Sequence, residues 1–285
     1  MSQQAEPLLG NICIVTGATG GIGAVTAREL ARQGATVIIV GRNAQKCANV
    51  AAQIQQLSGN PNVEFMVADL SAQDQIRQLV AQFKQKYNRL DVLINNAGGL
   101  FVQRQVSADG IEMTLALNHL SYFLLTNLLL DTLKASAARI INVASAAHSG
   151  EINFADLQGE QKYSGFAAYR QSKLANILFT YELARRMAGT GVTANTLHPG
   201  FVASGFATNN GWFWDKIYRY LARLIAISPE EGARTSLYLA TSPDVADVTG
   251  QYFIKQKAAA SSKASYDEAT AKQLWQTSEA LTGLA

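Results

Sequence analysis

Tyr169 and Lys173 stand four residues apart in a segment with helical periodicity, which places both side chains on one face of a helix. A tyrosine with an ordinary pKa near ~10 is a poor base at neutral pH. A lysine ammonium beside the ring favours the phenolate. Tyr169 can then give a proton to a carbonyl oxygen or take one from an alcohol. Ser145 follows the strand expected at Arg139 to Val143, outside its carboxyl end, where parallel sheets bind ligands. Its hydroxyl can orient a substrate oxygen there and bond a developing alkoxide. Alone, a Tyr and a Lys four apart are most often a helix surface pair, so the reading depends on what precedes them.

A glycine loop precedes them, Thr16-Gly17-Ala18-Thr19-Gly20-Gly21-Ile22-Gly23, between a short apolar run and a helical segment. Glycines there permit a tight turn and let the backbone approach a pyrophosphate at the positive end of the helix. A glycine cluster is often only a turn, but a strand before and a helix after are the context a dinucleotide site requires. An acidic residue normally ends the second strand and holds the ribose of NAD. Between Glu29 and Glu64 the chain has no Asp or Glu, and Gly41-Arg42-Asn43 ends that strand instead, with Arg42 and Asn43 the expected cofactor contacts there. Arg42 puts a cation where the extra phosphate of NADP would lie, so NADP is the expected cofactor. A nicotinamide would supply the hydride half of the chemistry that Tyr169, Lys173 and Ser145 suggest.

The elements that must position these residues alternate. Strands are expected at Asn11 to Thr16, Thr36 to Val40, Val63 to Val67, Leu90 to Ile94 and Arg139 to Val143. Helices are expected at Ala24 to Gln33, Ala44 to Leu57, Gln73 to Tyr87 and near Ile111 to Lys134. Further on come a helix around Ala167 to Ala188, a strand Thr193 to Leu197, a helix Pro229 to Leu239 and a last strand Gln251 to Ile254. The strands are continuous apolar runs, as expected when helices cover both faces of a parallel sheet. The fold expected is a doubly wound, Rossmann-type α/β sheet in a single domain. It spans residues 11–260 between an N-terminal tail, 1–10, and a C-terminal helical extension, 261–285, that packs back onto the body.

Composition narrows the function classes. The chain has 285 residues, 48% of them hydrophobic and 16% charged, enough for a sizeable core. A net charge of +3, with no block of Lys or Arg, gives no footprint for nucleic acid. Of two cysteines, Cys13 reads as inert core and Cys47 as a helix residue, and so few fit a reducing, cytoplasmic setting. No run is long and apolar enough for a spanning helix or a signal peptide. His119, His148 and His198 are scattered, without cysteines or carboxylates at ligand spacing, so no metal is expected. His148 is close enough to Ser145 to touch substrate, but reads best as a loop-surface histidine.

Together, the Thr-Gly-x-x-x-Gly-x-Gly loop, Asp69, Asn95-Asn96-Ala97-Gly98, Ser145, Tyr169-x-x-x-Lys173 and Pro199-Gly200 resemble the short-chain dehydrogenase/reductase family. The match runs from about Asn11 to about Ile254, with the motifs in family order. Leu117-Asn118-His119-Leu120, Leu197-His198-Pro199-Gly200, Glu231-Gly232-Ala233 and Leu274-Trp275 resemble its retinol dehydrogenase-like branch, whose membrane-anchored members carry an apolar N-terminal anchor that this sequence lacks.

The resemblance implies that Asp69 and Leu70 border the adenine, and that Asn95 to Gly98 stabilise the sheet centre and line the cofactor. It implies that Asn118 holds a water linking Lys173 to solvent, and that Lys173 binds the nicotinamide ribose. Pro199, Gly200, Val202 and Ser204 would flank the nicotinamide. The aromatic segment that follows, with Phe201, Phe206, Trp212, Phe213 and Trp214, would form a substrate lid at about 200–227. Packing against the core is an equal alternative for most of these rings, and a membrane-surface helix, with Lys216, Arg219 and Arg223, is a third. The expected activity is interconversion of an apolar aldehyde or ketone and its alcohol with NADP(H), in a chain that could also form a homo-oligomer. The alternatives are a double-bond reductase resembling protochlorophyllide reductases, or a non-catalytic NADP sensor.

Overall fold

The computed structural model describes residues 7–202 and 227–285. Strand β1 (Ile12–Thr16) leads through the glycine loop into α1 (Gly21–Arg32), then β2 (Thr36–Gly41), α2 (Ala44–Ser58), β3 (Val63–Val67), α3 (Gln73–Lys86) and β4 (Val92–Asn95). The sheet runs in the order β3-β2-β1-β4, continued by β5 (Arg139–Val143), β6 (Thr193–His198) and β7 (Tyr252–Ile254), all parallel. Strand order reverses between β1 and β4, and the crevice outside their carboxyl ends is where such sheets bind ligands.

Alternate side chains of each strand serve two cores. Ile14, Ile38 and Leu93 pack with Phe83, Phe123 and Phe179 on one face. Cys13, Val15, Val37 and Ile39 pack with Ala27, Leu30 and Leu239 on the other. With both faces covered, the central strands can be apolar at every position, as the sequence pattern anticipated. Both cysteines are buried and unpaired, and burial holds both thiols above their ordinary pKa.

Two features depart from the expected elements, a segmented helix and an added edge strand. The helix expected near Ile111 to Lys134 is segmented. It comprises α4 (Met113–Leu115), a π-helical turn (Ala116–Leu120), α5 (Ser121–Leu128) and, after a break at Leu129, α6 (Leu130–Lys134). Beyond α7 (Gly165–Arg186) and α8 (Pro229–Thr241), strand β7 turns back into β8 (Lys257–Ala259), antiparallel and at the sheet edge. Lys255 and Gln256 make that turn with φ of 48° and 63°, a conformation that usually selects Gly or Asn. The last helix, α9 (Glu268–Thr282), docks on α7, with Trp275 T-shaped against Phe123 at 4.9 Å and tilted against Phe179 at 5.7 Å. The extension therefore belongs to the main core.

Candidate active site

The glycine loop is fastened to the end of β4. Thr16 Oγ1 is buried and accepts from the main-chain nitrogens of Asn96 and Ala97 at 2.8 and 3.1 Å, while Asn96 Nδ2 donates to Thr16 O at 2.8 Å. Gly17 has φ +64°, and a Cβ there would come within 2.8 Å of Ala97 Cα. At Gly23, in the first turn of α1, a Cβ would lie 2.6 Å from Gly17 O and 2.7 Å from Asn96 Nδ2. Glycine is thus a steric requirement at both places. The helix starts at Gly21 with no side chain capping it and no acidic residue in its first turn. Its unpaired first-turn N–H groups and positive dipole end lie next to Gly20, where an added Cβ would meet nothing within 4 Å.

Arg42 is exposed one residue past β2. Gly41, before it, sits so close to the loop that a Cβ would lie 2.5 Å from Thr19 Cγ2. Arg42 thus leaves the sheet beside the glycine loop, on a stretch without carboxylates. Asn43 is the N-cap of α2, its Oδ1 accepting from Lys46 N at 2.9 Å. Asp69 Oδ1 accepts from Ser71 N and Oγ at 3.0 and 2.7 Å, shaping the turn after β3, and Leu70 is buried.

The start of α7 is pressed against the loop after β4: a Cβ at Gly165 would lie 2.2 Å from Phe101 O. One turn further, Tyr169 and Lys173 share the inner face. Lys173 Nζ lies 5.6 Å from the Tyr169 ring centroid and 5.9 Å from that of Tyr122, and donates to Val143 O at 3.0 Å. Lys173 is 3% exposed, and burial brings its pKa down to about 7. Val143 is the last residue of β5, and Ser145 follows two residues later at the same strand end. Ser145 Oγ accepts from Ala147 N at 3.1 Å, and its main-chain oxygen accepts from His148 Nδ1 at 2.6 Å and Tyr252 OH at 3.3 Å.

Asn118 occupies the π turn and is fully buried. Its Oδ1 accepts from Gly99 N at 2.8 Å, and its Nδ2 donates to Gly99 O at 2.9 Å and Ser172 Oγ at 3.1 Å. A Cβ at Gly98 would come 3.1 Å from Asn118 Oδ1 and 3.7 Å from Lys173 Nζ. Gly98, Asn118 and Lys173 are therefore gathered at one point. Asn95, deeper in the sheet, donates to Asn142 Oδ1 at 2.8 Å and Thr126 Oγ1 at 3.1 Å, tying β4 to β5.

On the far side, Pro199 and Gly200 follow β6, and a Cβ at Gly200 would strike Ile227 Cδ1 at 2.5 Å. Phe201 O accepts from Ile227 N at 2.8 Å and Val202 bridges to Ile227, so the two ends of the expected lid meet. A Cβ at Gly232 would touch both Val202 Cγ2, at 2.6 Å, and Ile22 Cγ1, at 3.1 Å. The Pro-Gly segment thus borders the glycine loop. Ser204, Phe206, Trp212, Phe213, Trp214 and the cations of that segment lie outside the described residues, and with them the choice between lid, core and membrane surface.

His148 is not a loop-surface residue. It is 8% exposed, because Ser262 of the extension covers it and donates its main-chain N–H to Nε2 at 3.1 Å. His198 is held below its ordinary pKa, first by burial and then by the neighbouring His148, and its Nδ1 has no hydrogen-bond partner among the described residues. The described residues contain no cluster that could hold a metal and no helix long and apolar enough to cross a membrane. Gly99 and the Val143 carbonyl were missed from sequence, and Thr16 was read only as the first residue of the glycine loop. Thr16 carried a signal, a hydroxyl immediately before the glycines; the other two act through main chain, which residue type does not reveal.

The sequence profile of the short chain dehydrogenase family matches residues 11–211. Human polyprenol dehydrogenase is 44% identical over 281 residues, covering 96% of this chain and 85% of its own. Human retinol dehydrogenase 13 is 45% identical over 284 residues with the same coverage of both chains. Among solved structures, an uncharacterized protein from Mycobacterium paratuberculosis superposes with a TM-score of 0.78 at 34% identity, covering 96% of this chain and 94% of that one.

Proposed function

This chain belongs to the short-chain dehydrogenase family, retinol dehydrogenase-like, and from that premise we propose that it is an NADP(H)-dependent oxidoreductase interconverting an apolar aldehyde or ketone and the corresponding alcohol. The observation that carries the reading is Lys173, buried with its Nζ facing the Tyr169 ring at 5.6 Å, beside the strand end that bears Ser145. A lone buried lysine is costly, and one that faces a tyrosine at a ligand-binding strand end has a chemical use.

Tyr169 is the proton donor to a carbonyl oxygen, or the acceptor from an alcohol. Ser145 Oγ orients that oxygen and hydrogen-bonds the charge that develops on it. Lys173, when protonated, favours the phenolate of Tyr169 and reaches the ribose hydroxyls of the cofactor. Asn118 holds the loop after β4 against α7 and keeps a proton path open to Lys173. The residues fit a dinucleotide: the uncapped start of α1, the open space at Gly20 and the close-packed Gly17 and Gly23 form a cradle for a pyrophosphate. When bound, the nicotinamide supplies the hydride acceptor or donor.

Preference for the phosphorylated cofactor rests on Arg42, which follows the Gly41 that packs on Thr19, and on the absence of acidic residues between Glu29 and Glu64. An apolar substrate is supported by the apolar alcohols for which the relatives are named. A cytoplasmic setting belongs to this proposal and rests on the two unpaired thiols. The test is an absorbance screen at the reduced-nicotinamide band across aldehydes, ketones and alcohols, with both cofactors. Turnover of apolar carbonyls with NADPH supports the reading; activity confined to NADH, or to polar substrates, contradicts it.

A further inference from the structure

Two buried imidazoles connect the C-terminal extension to the residues assigned to catalysis. His119 is fully buried, with Nδ1 3.3 Å from Asn176 Oδ1 and Nε2 3.0 Å from Ser278 Oγ on α9. Asn176 Nδ2 donates to the main-chain oxygen of Asn118 at 2.9 Å. A carbonyl only accepts, so the Asn176 amide can point only one way, with Oδ1 facing His119. His119 must therefore carry a proton on Nδ1, while its Nε2 meets the Ser278 hydroxyl, which also donates to Leu274 O at 2.7 Å. His148 repeats the arrangement. Its Nε2 accepts from Ser262 N at 3.1 Å, so its proton is on Nδ1, which donates to the Ser145 main-chain oxygen at 2.6 Å. Ser262 Oγ also donates to His148 O at 3.0 Å.

From these paired contacts we infer that residues 261–285 are a positioning element of the active site, acting through His148 on Ser145 and through His119 and Asn176 on Asn118. The inference rests on the catalytic roles given to Ser145 and Asn118 above. Both chains of bonds begin at a serine of the extension and end on the main-chain carbonyl of a site residue. A shift of the extension would thus move the backbone that carries the Ser145 hydroxyl and the Asn118 amide. The His148 link works only with a neutral imidazole, because a second ring proton would face the Ser262 N–H. At His119, burial keeps the ring neutral by bringing its pKa down to about 4. The anchor is firm: Trp275 fills the core between Phe123 and Phe179, and the Arg186 guanidinium lies 4.1 Å over its ring.

The test compares His119→Leu and His148→Leu with His119→Asn and His148→Asn in the full chain. The asparagine amide nitrogen stands near the place of Nδ1 and keeps the donor that faces the site. Turnover of a carbonyl substrate with NADPH is measured per site, with sites counted by cofactor titration. The leucine variants are expected to lose about tenfold or more in kcat, the scale of a misplaced reacting group, with NADPH affinity little changed. The asparagine variants should recover most of that loss. Wild-type kcat in the leucine variants, or asparagine variants no better than leucine, would overturn the inference. Should a leucine variant fail to fold, Ser278→Ala carries the test: a reduced kcat at unchanged NADPH affinity supports the inference, and an unchanged kcat overturns it. Tyr169→Phe is run alongside. If it is inactive while the leucine variants are normal, only the positioning role falls; if it is active, the catalytic reading falls and the inference with it.

Discussion

Arg42 and Lys173 are two cations whose surroundings assign them opposite tasks. Arg42 is exposed beside the glycine loop, on a stretch without carboxylates. A charge-assisted hydrogen bond to a 2′-phosphate is worth roughly 1.5–3 kcal/mol, so NADPH should bind about ten- to a hundredfold tighter than NADH. Arg42→Ala should weaken NADPH and spare NADH, and Arg42→Asp should reverse the preference. Fluorescence titration of both cofactors checks this, and equal weakening of both would refute it. Lys173 is buried, its pKa brought from 10.5 down to about 7. Above pH 7 the unfolded chain holds a proton there that the folded chain has released, so stability from this group rises with pH from 7 towards 10.5. Below pH 7 the full cost of burying the ammonium remains. Lys173→Met should therefore be more stable than wild type at pH 6, by ~1 kcal/mol or more, and should lose that pH slope while losing activity. Thermal unfolding of the cofactor-free proteins from pH 6 to 9 would show it.

At the scale of elements, the glycine loop is the most constrained segment near the site. Gly23→Ala would drive a methyl group against Gly17 O and Asn96 Nδ2, a forced contact that costs about 1–3 kcal/mol. It should lower both Tm and NADPH affinity, measured by calorimetry and titration. Asn43→Ala should separate those readouts. Removing an N-cap costs ~1 kcal/mol of stability, and the NADPH/NADH ratio should stay unchanged because the Asn43 side chain is spent on capping α2. The strands and most helices were readable from sequence within a few residues, because both-face burial leaves unbroken apolar runs such as Thr36–Gly41. The π turn at Ala116–Leu120 was not, since one inserted residue leaves the surrounding apolar periodicity almost intact. Strand β8 escaped because its turn uses Lys255 and Gln256, which carry no turn signal.

Across the whole molecule, the site is assembled from strand ends β1, β4, β5 and β6, from α7 and, at one remove, from the extension. The proposed site residues could be named from sequence because Tyr169, Lys173 and the glycines stand in the order of the family they resemble. Their supports were not: the bonds from Ser262 to His148 and from Ser278 to His119 each span more than a hundred positions. Trp275→Ala should destabilise the whole fold by roughly 3–5 kcal/mol, because the ring lies between α5 and α7 in the main core. Equilibrium unfolding should show this as one cooperative transition at lower denaturant. The most direct test of the account is single-turnover NADPH oxidation by wild type and Tyr169→Phe on an apolar aldehyde, with NADPH binding measured in parallel. The account predicts NADPH affinity within about threefold and a rate lower by about a hundredfold or more, the range by which a positioned general acid contributes. Comparable rates in the two proteins, or loss of rate matched by loss of cofactor affinity, would contradict it.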